Sequence, residues 1–372
     1  MMQRVLLAAK EISPAPGGIA RYAEQVTKGY LRAGCQVTLI TTNTPDADLM
    51  TQTSDQIIVG RRSQFLIGVV IFMRLLFKIL VNGERWDVVH ATTWRMALPL
   101  LLLRMSGIRV TVHGNEFLRR DLASRLFVRL VLSKAERITA VSGFTRNLLL
   151  ERFQTIPSTK VQVAHLGVSL ENPADKEAGG VALNLLSVCR QNTRKNVEAA
   201  IESAGIAASS GARFAYTLVG DGVKHQALQR QADRIEALDH TFLPFVDDEL
   251  LLELYTKADV YLHPQLDRRS EGDVEGFGLS IVDAMACGCV VIAGDNAGPA
   301  EIVNDGKDGY LVNPQDVEQI ATLLVSLAQD RELLRKISAN AKLTSATFTW
   351  DKHVGAILED SSPHHDTDSR SE

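Results

Sequence analysis

The sequence predicts an α/β protein of two doubly wound domains. At 372 residues the chain exceeds the ~250–300 at which a single hydrophobic core stops growing. Short β-branched runs alternate with helical patterns along most of it, and near-continuous apolar strands separated by helices mean parallel sheets covered on both faces. The alternation is interrupted by a polar stretch near the middle, with Pro and paired Gly, where a linker belongs.

In chain order, the first domain (residues 1–170) has strands predicted at Val5–Ala8, Val37–Thr41, Val88–Ala91, Val110–His113, Ile138–Ser142 and Val161–His165. Pro16-Gly17-Gly18 follows the first strand and opens a helix near Ile19. The longest apolar stretch, Phe65 to Val81, is broken by Arg74 and Lys78 and falls short of the ~20 residues of a spanning helix. It reads as a core helix ahead of the strand at residue 88, with shallow membrane insertion as the alternative. Between residues 119 and 134, Leu122, Leu126 and Leu130 recur at i+4 among Arg119, Arg120, Arg125, Arg129 and Lys134, a basic amphipathic helix. Such a helix either packs by its leucines or rests on anionic lipid.

The linker is Glu171 to Gly180. The second domain (171–347) has strands predicted at Leu183–Val188, Tyr216–Val219, Phe242–Phe245, Val260–His263 and Val290–Ala293, and then a pair of helices. The tail from Asp360 to Glu372, with almost no apolar residues, is expected to be disordered.

The net charge of -4 hides a division: residues 1–170 hold 22 Lys+Arg against 11 Asp+Glu, the remainder 18 against 33. A basic half recruits phosphates or anionic surfaces. Nucleic acid is a poor fit, since the cations are spread over helices and no binding motif is present. Cys35, Cys189, Cys287 and Cys289 lack Cys-x-x-Cys spacing and read as reduced core residues. The N-terminal apolar run is too short for a signal peptide, so a cytoplasmic site is expected.

Chemistry is concentrated in Glu275-Gly276-Phe277-Gly278-Leu279 through Asp283, two carboxylates eight positions apart across a glycine-rich turn and a helix start. Eight helical residues rise about 12 Å, enough for the two acids to contact opposite ends of one elongated ligand. Glycines admit close backbone approach, and N–H groups at a helix start suit a diphosphate. An acid-capped buried helix is the structural alternative. Arg190 and Lys195, with Arg194 between them, follow the first strand of the second domain. Fixed cations there would stabilise charge building on a leaving phosphate; a solvated basic turn is the bland alternative. His113 ends a strand before Gly114, and His90, ending the preceding strand, ranks second.

Glu275 and Asp283 resemble the Glu-x7-Glu motif of retaining glycosyltransferases of the GT-B fold, most closely glycosyltransferase family 4. The resemblance runs nearly to Leu358 and is densest over residues 187–312. It implies two Rossmann-like domains facing across a cleft, the second binding a nucleotide diphosphate sugar, with a last helix in residues 348–359 crossing back onto the first. It implies that Glu275 contacts the transferred sugar and Asp283, a methylene shorter than the usual Glu, the ribose. Arg190 and Lys195 would hold the diphosphate, Gly18 would approach it from across the cleft, His113 would line the sugar site, and Phe245 or Val246 would flank the base. It implies retention of configuration, the leaving phosphate helping to deprotonate the acceptor and Glu275 acting as a binder rather than a covalent nucleophile. No metal and no cofactor are expected: Asp46-Ala-Asp48 is a three-residue acidic match of the kind that arises by chance. The expected partners are the nucleotide-sugar donor, a glycan or lipid-linked acceptor of lipopolysaccharide or polysaccharide type, and an anionic membrane surface through residues 119–134, at the inner face of the cytoplasmic membrane. Two other readings stay open, a soluble transferase acting on a small acceptor and a GT-B-like nucleotide-sugar epimerase or binder.

Overall fold

A computed structural model describes residues 2–60, 64–118, 121–170 and 182–359, without the side chains of residues 64 and 65. The linker expected at 171–180, Arg119, Arg120 and the tail from residue 360 lie outside the described residues.

The first sheet is built from β1 (Arg4–Ala8), β2 (Gln36–Thr41), β3 (Asp55–Ile58), β4 (Val88–Ala91), β5 (Ile108–Val112), β6 (Arg137–Ala140) and β7 (Val161–Val163). Its helices are α1 (Gly18–Arg32), α2 (Ala47–Gln52), α3 (Gln64–Asn82), α4 (Trp94–Leu102), α5 (Leu122–Lys134) and α6 (Gly143–Arg152). The strands lie in the order β3-β2-β1-β4-β5-β6-β7, all parallel. The second sheet is β8 (Leu183–Val188), β9 (Phe214–Val219), β10 (Asp239–Leu243), β11 (Val260–His263), β12 (Val290–Gly294) and β13 (Gly309–Val312), in the order β10-β9-β8-β11-β12-β13. It too is parallel. Its helices are α7 (Val197–Ser209), α8 (His225–Ala232), α9 (Asp248–Lys257), α10 (Leu279–Ala286), α11 (Val317–Gln329) and α12 (Arg331–Ser345), followed by α13 (Trp350–Leu358). The two doubly wound domains predicted from the alternation are therefore present.

Central strands are buried along their whole length, as in β5 and β12. Helix starts are set by side chains that satisfy the first free N–H groups: Asp121 accepts from Ser124 N in α5, Ser142 from Thr145 N in α6, and Asp247 from Leu250 N in α9. α13 leaves the second domain and lies on α1. Only glycine fits beneath it at residue 29, where a Cβ would sit 2.6 Å from Val354 Cγ2.

Differences from the sequence reading have local causes. β3 and β13 were not foreseen, because both are four-residue edge strands without a long apolar run. β10 is Asp239–Leu243 rather than Phe242–Phe245; as an edge strand exposed along much of its length it carries little apolar signal. Asp46 and Asp48, the chance acidic match, stand at the N-cap and in the first turn of α2. α3 is a core helix on one face only: Ile67, Ile71 and Leu75 are buried, whereas Met73, Phe77 and Leu80 are 57%, 60% and 73% exposed.

Candidate active site

Strand order reverses between β1 and β4 and again between β8 and β11, and crevices at the carboxyl ends of such strands are where open α/β sheets take ligands. The residues singled out from sequence fall around these two points. Gly18 opens α1 after β1, His113 follows β5, Arg190 and Lys195 follow β8, and Glu275 follows β11.

Glu275 is the hub of the second crevice. Its Oε2 accepts from Arg194 and from Lys195 Nζ, and His263 Nε2 lies 3.6 Å away. Arg194 also donates to Asp273 Oδ1 at 2.8 Å. Burial alone would raise the Glu275 carboxyl, yet Lys195, Arg194 and His263 outweigh it and hold the group well below the usual carboxylate range. His263, stacked against Tyr261, is kept neutral first by burial and then by Lys195, which bring it down to about 4. Arg190 is exposed and among the described residues has no side-chain partner. Arg194, rather than Arg190, thus shares the carboxylate with Lys195.

His113 stands on the opposite wall. Its Nε2 lies 3.1 Å from the Thr92 carbonyl, and its ring meets Tyr22 edge to face at 4.9 Å. Burial lowers its pKa against the opposing pull of Glu116 and Thr92. The walls touch here: a Cβ at Gly276 would overlap the His113 carbonyl oxygen, and the Gly114 position lies against Val274 and Gly276. Asn115 Oδ1 accepts from Val274 N at 2.7 Å. Gly276 is glycine because the backbone of the other domain leaves no room for a side chain.

His90 belongs elsewhere. It is buried, with Nδ1 3.0 Å from Tyr30 Oη and Nε2 2.9 Å from Thr111 Oγ1. Thr111 meets Tyr22 Oη at 2.7 Å, and Tyr22 meets His353 Nε2 at 3.0 Å. This row ties α1, β4, β5 and α13 together. Burial, and after it the neighbouring His353, takes His90 down to about 3.

Asp283 is buried in α10 and accepts from Ser169 N at 2.6 Å, so one carboxylate oxygen holds the chain entering the linker. Burial, only partly opposed by the Ser169 and Leu170 N–H groups and Arg21, raises it to about 7. Phe277 is buried and stacks on His165 at 5.7 Å, a packing role. Gly278 caps α10 at φ +112°, a conformation that favours glycine, and Leu279 begins that helix. Phe245 is 74% exposed beyond β10, with Val246 half-buried beside it. Gly18 has open space where a Cβ would stand, and one turn on Arg21 pairs with Asp248 of α9.

Sequence reasoning passed over His263, Asp273 and Ser142, and noted Glu301 only as the acid after a glycine-rich loop, Ala297 to Ala300, that resembles the family's. The strand-end criterion that selected His113 applied equally to His263. Ser142 Oγ donates to Gly276 O at 2.6 Å, and Glu301 accepts from Gly143 N at 2.7 Å. No spacing rule links residues so far apart.

Two family profiles cover most of the chain: that described as "Glycosyl transferases group 1" matches residues 172–344, and "Glycosyltransferase Family 4" matches 16–172. A putative colanic acid biosynthesis glycosyltransferase of Salmonella typhimurium is 27% identical over 190 residues, 50% of this chain and 47% of that protein; the match thus spans about half that relative's length. A GDP-mannose-dependent alpha-(1-6)-phosphatidylinositol monomannoside mannosyltransferase of Mycolicibacterium smegmatis is 30% identical over 259 residues, 64% of this chain and 67% of that one. Among solved structures, sucrose-phosphate synthase from Thermosynechococcus elongatus superposes with a TM-score of 0.76 at 20% identity, covering 95% of this chain and 97% of the other.

Proposed function

The chain belongs to the group 1, family 4 glycosyltransferases, and on that premise we propose that it is a retaining, metal-independent hexosyltransferase that moves a sugar from a nucleotide diphosphate donor to a lipid-linked or polysaccharide-type glycan. The observation that carries this reading is one cluster: Glu275, Arg194 and Lys195 joined on one wall, with Gly276 seated against the His113 carbonyl of the other. Departure of a nucleoside diphosphate builds negative charge on a phosphate oxygen, and preorganised cations in a dry site stabilise it without reorganising. Arg190, Arg194 and Lys195 would supply that charge in place of a divalent metal. Glu275 would turn from the cations to the sugar hydroxyls when the diphosphate takes its place, and His113, held neutral, would accept or donate a hydrogen bond at the transferred sugar. Asp283, half committed to the linker, would reach the ribose with its remaining oxygen, while Gly18 and Phe245 with Val246 would face the diphosphate and the base.

The outer surface of the first domain supports a lipid-bound acceptor. In α5, Val128, Val131 and Leu132 are buried, while Leu122, Leu126, Phe127 and Leu130 stand 68%, 57%, 45% and 45% exposed, interleaved with exposed Arg125 and Arg129. The exposed side of α3 adds Met73, Phe77 and Leu80 to the same helical layer, α4 lying between them. Apolar side chains framed by cations fit the surface of an anionic bilayer. No helix among the described residues is long and apolar enough to cross one. The mannosyltransferase relative names a phosphatidylinositol acceptor, which favours the same class.

The test is transfer from UDP-, GDP-, ADP- and dTDP-sugars to lipid extracts in the presence of EDTA, with the product anomer read by NMR. A new glycoside of donor configuration, formed without divalent metal, is expected. An inverted product, loss of activity with EDTA, or isomerised donor with no glycoside overturns the reading.

A further inference from the structure

The first turn of α6 grips two loops of the other domain at once. Glu301, beyond β12, accepts from Gly143 N at 2.7 Å and from Phe144 N, and His165 Nε2 stands 3.5 Å from the same carboxylate. Ser142 Oγ and Thr145 Oγ1, on the same turn, donate to Gly276 O at 2.6 and 3.2 Å. The two gripped loops also hold each other, since Gly298 N donates to Glu275 O at 3.0 Å and a Cβ at Gly298 would overlap the Gly276 carbonyl. The fit at the helix start is close: a Cβ at Gly143 would lie 3.2 Å from both Glu301 oxygens. A carboxylate at a helix N-terminus satisfies free N–H groups and opposes the positive end of the helix dipole. Here the carboxylate and the helix come from different domains.

We propose that Glu301 is a positioning residue: by capping α6 across the domain boundary it fixes the loop carrying Glu275 in register with His113, aligning donor and acceptor walls for transfer. It touches neither the sugar nor the diphosphate, and acts through Gly298, the Glu275 backbone and the Gly276 carbonyl. This rests on the glycosyltransferase reading for its kinetic consequence, and on geometry alone for the clasp. Catalytic groups held in a reacting geometry lose about a hundredfold in rate when displaced by an ångström, whereas ground-state affinity for the leaving nucleotide depends on cations of a single domain.

The experiment compares the full-length protein with Glu301→Gln, Ser142→Ala and the double variant. Four quantities are measured: amide exchange of the peptide spanning residues 143–146, affinity for UDP or GDP, and kcat and KM for transfer. In Glu301→Gln that peptide is expected to exchange faster, nucleotide affinity to stay within about twofold, and kcat to fall on the order of tenfold or more. Ser142→Ala is expected to lower kcat in the same way, and the double variant to lose less than the product of the single losses, because both changes loosen one clasp. Unchanged exchange, a kcat equal to wild type, independent losses in the double variant, or a fall in nucleotide affinity that accounts for the whole rate effect overturns the proposal. A wild-type protein without transfer would refute the glycosyltransferase reading instead, and the exchange measurement would still decide whether the clasp exists.

Discussion

At the scale of single residues, Glu275 in the free protein holds the cations that the proposed function assigns to the diphosphate. Two basic side chains with little exposure, Arg194 at 12% and Lys195 at 11%, lean on one carboxylate. Removing one partner from a buried ion pair costs several kcal/mol, because the other charge is left uncompensated. Glu275→Gln should therefore melt at a lower temperature than wild type without ligand, lose transfer, and bind UDP or GDP about fivefold or more tightly, as a diphosphate no longer competes with the carboxylate. Thermal melts with and without nucleotide check this: an upshift no larger than that of wild type would mean that Glu275 does not occupy the diphosphate's place. Much of this site was legible, since Glu275, Lys195 and His113 each follow a strand. His263 ends a strand as well and could have been picked by the same criterion, whereas Asp273 could not, because its significance is a meeting in space with Arg194. Asp283 was legible as an acid on a helix, but not as the partner of Ser169 N, a contact that depends on where the linker crosses.

At the scale of elements, periodicity located the helices but did not say which way they face. α5 carries two apolar stripes, one of Val128, Val131 and Leu132 on the sheet and one of Leu122, Leu126 and Leu130 in the open. The sequence weighed packing by its leucines against a lipid surface, and the leucine stripe is the outward one. α3 repeats the ambiguity, which is why it read as a core helix with shallow membrane insertion as the alternative. Short edge strands escaped for the opposite reason, as β3 and β13 bury too little to leave a pattern. Exposed apolar positions contribute little to folding, so Leu126→Ser with Phe127→Ser should change stability by under about 1 kcal/mol. Withdrawing two such side chains from a bilayer forfeits on the order of 1.5–3 kcal/mol each, together at least about a hundredfold in binding. Flotation with vesicles of phosphatidylcholine and phosphatidylglycerol is expected to carry the wild type upward and leave the double variant behind. Equal flotation of both, or of neither, would remove α5 from any membrane contact, and concentration-dependent self-association of the wild type that the substitutions abolish would assign the face to a second copy instead.

At the scale of the molecule, the parallel sheets were readable because their buried strands are near-continuous apolar runs, whereas the polar row that fastens α13 to the first domain was not, its members lying at residues 22, 30, 90, 111 and 353. The two histidines of that row and His263 beside Glu275 act together on the stability of the whole fold. His90 is held down to about 3 by burial and then by His353, His353 to about 4 by burial and then chiefly by His113 against its Ala164 hydrogen bond, and His263 to about 4 by burial and Lys195. Each stays neutral in the fold at pH values where the unfolded chain, with histidines near 6.5, already binds a proton. Asp283 has the opposite sign: raised to about 7, it binds a proton in the fold between about 4 and 7 while the unfolded chain has released its own. Between pH 6.5 and 4 the unfolded state thus takes up about three protons at these three histidines, with His113, also lowered by burial, acting in the same direction, and the folded state about one at Asp283. The net excess of protons bound by the unfolded chain makes stability fall by a few kcal/mol per pH unit, on the order of 1.4 kcal/mol for each proton, as the solution is acidified. A domain with ~5–15 kcal/mol in hand cannot absorb much of that, so the melting temperature is expected to drop steeply from pH 7 to pH 5. Asp283→Asn removes the opposing proton and should steepen the slope to about three protons, or roughly 4 kcal/mol per unit. A melting temperature that is level from pH 7 to pH 5 would show that the buried imidazoles do not stay neutral in the fold. A slope unchanged by Asp283→Asn would show that this carboxyl is ionised despite its burial.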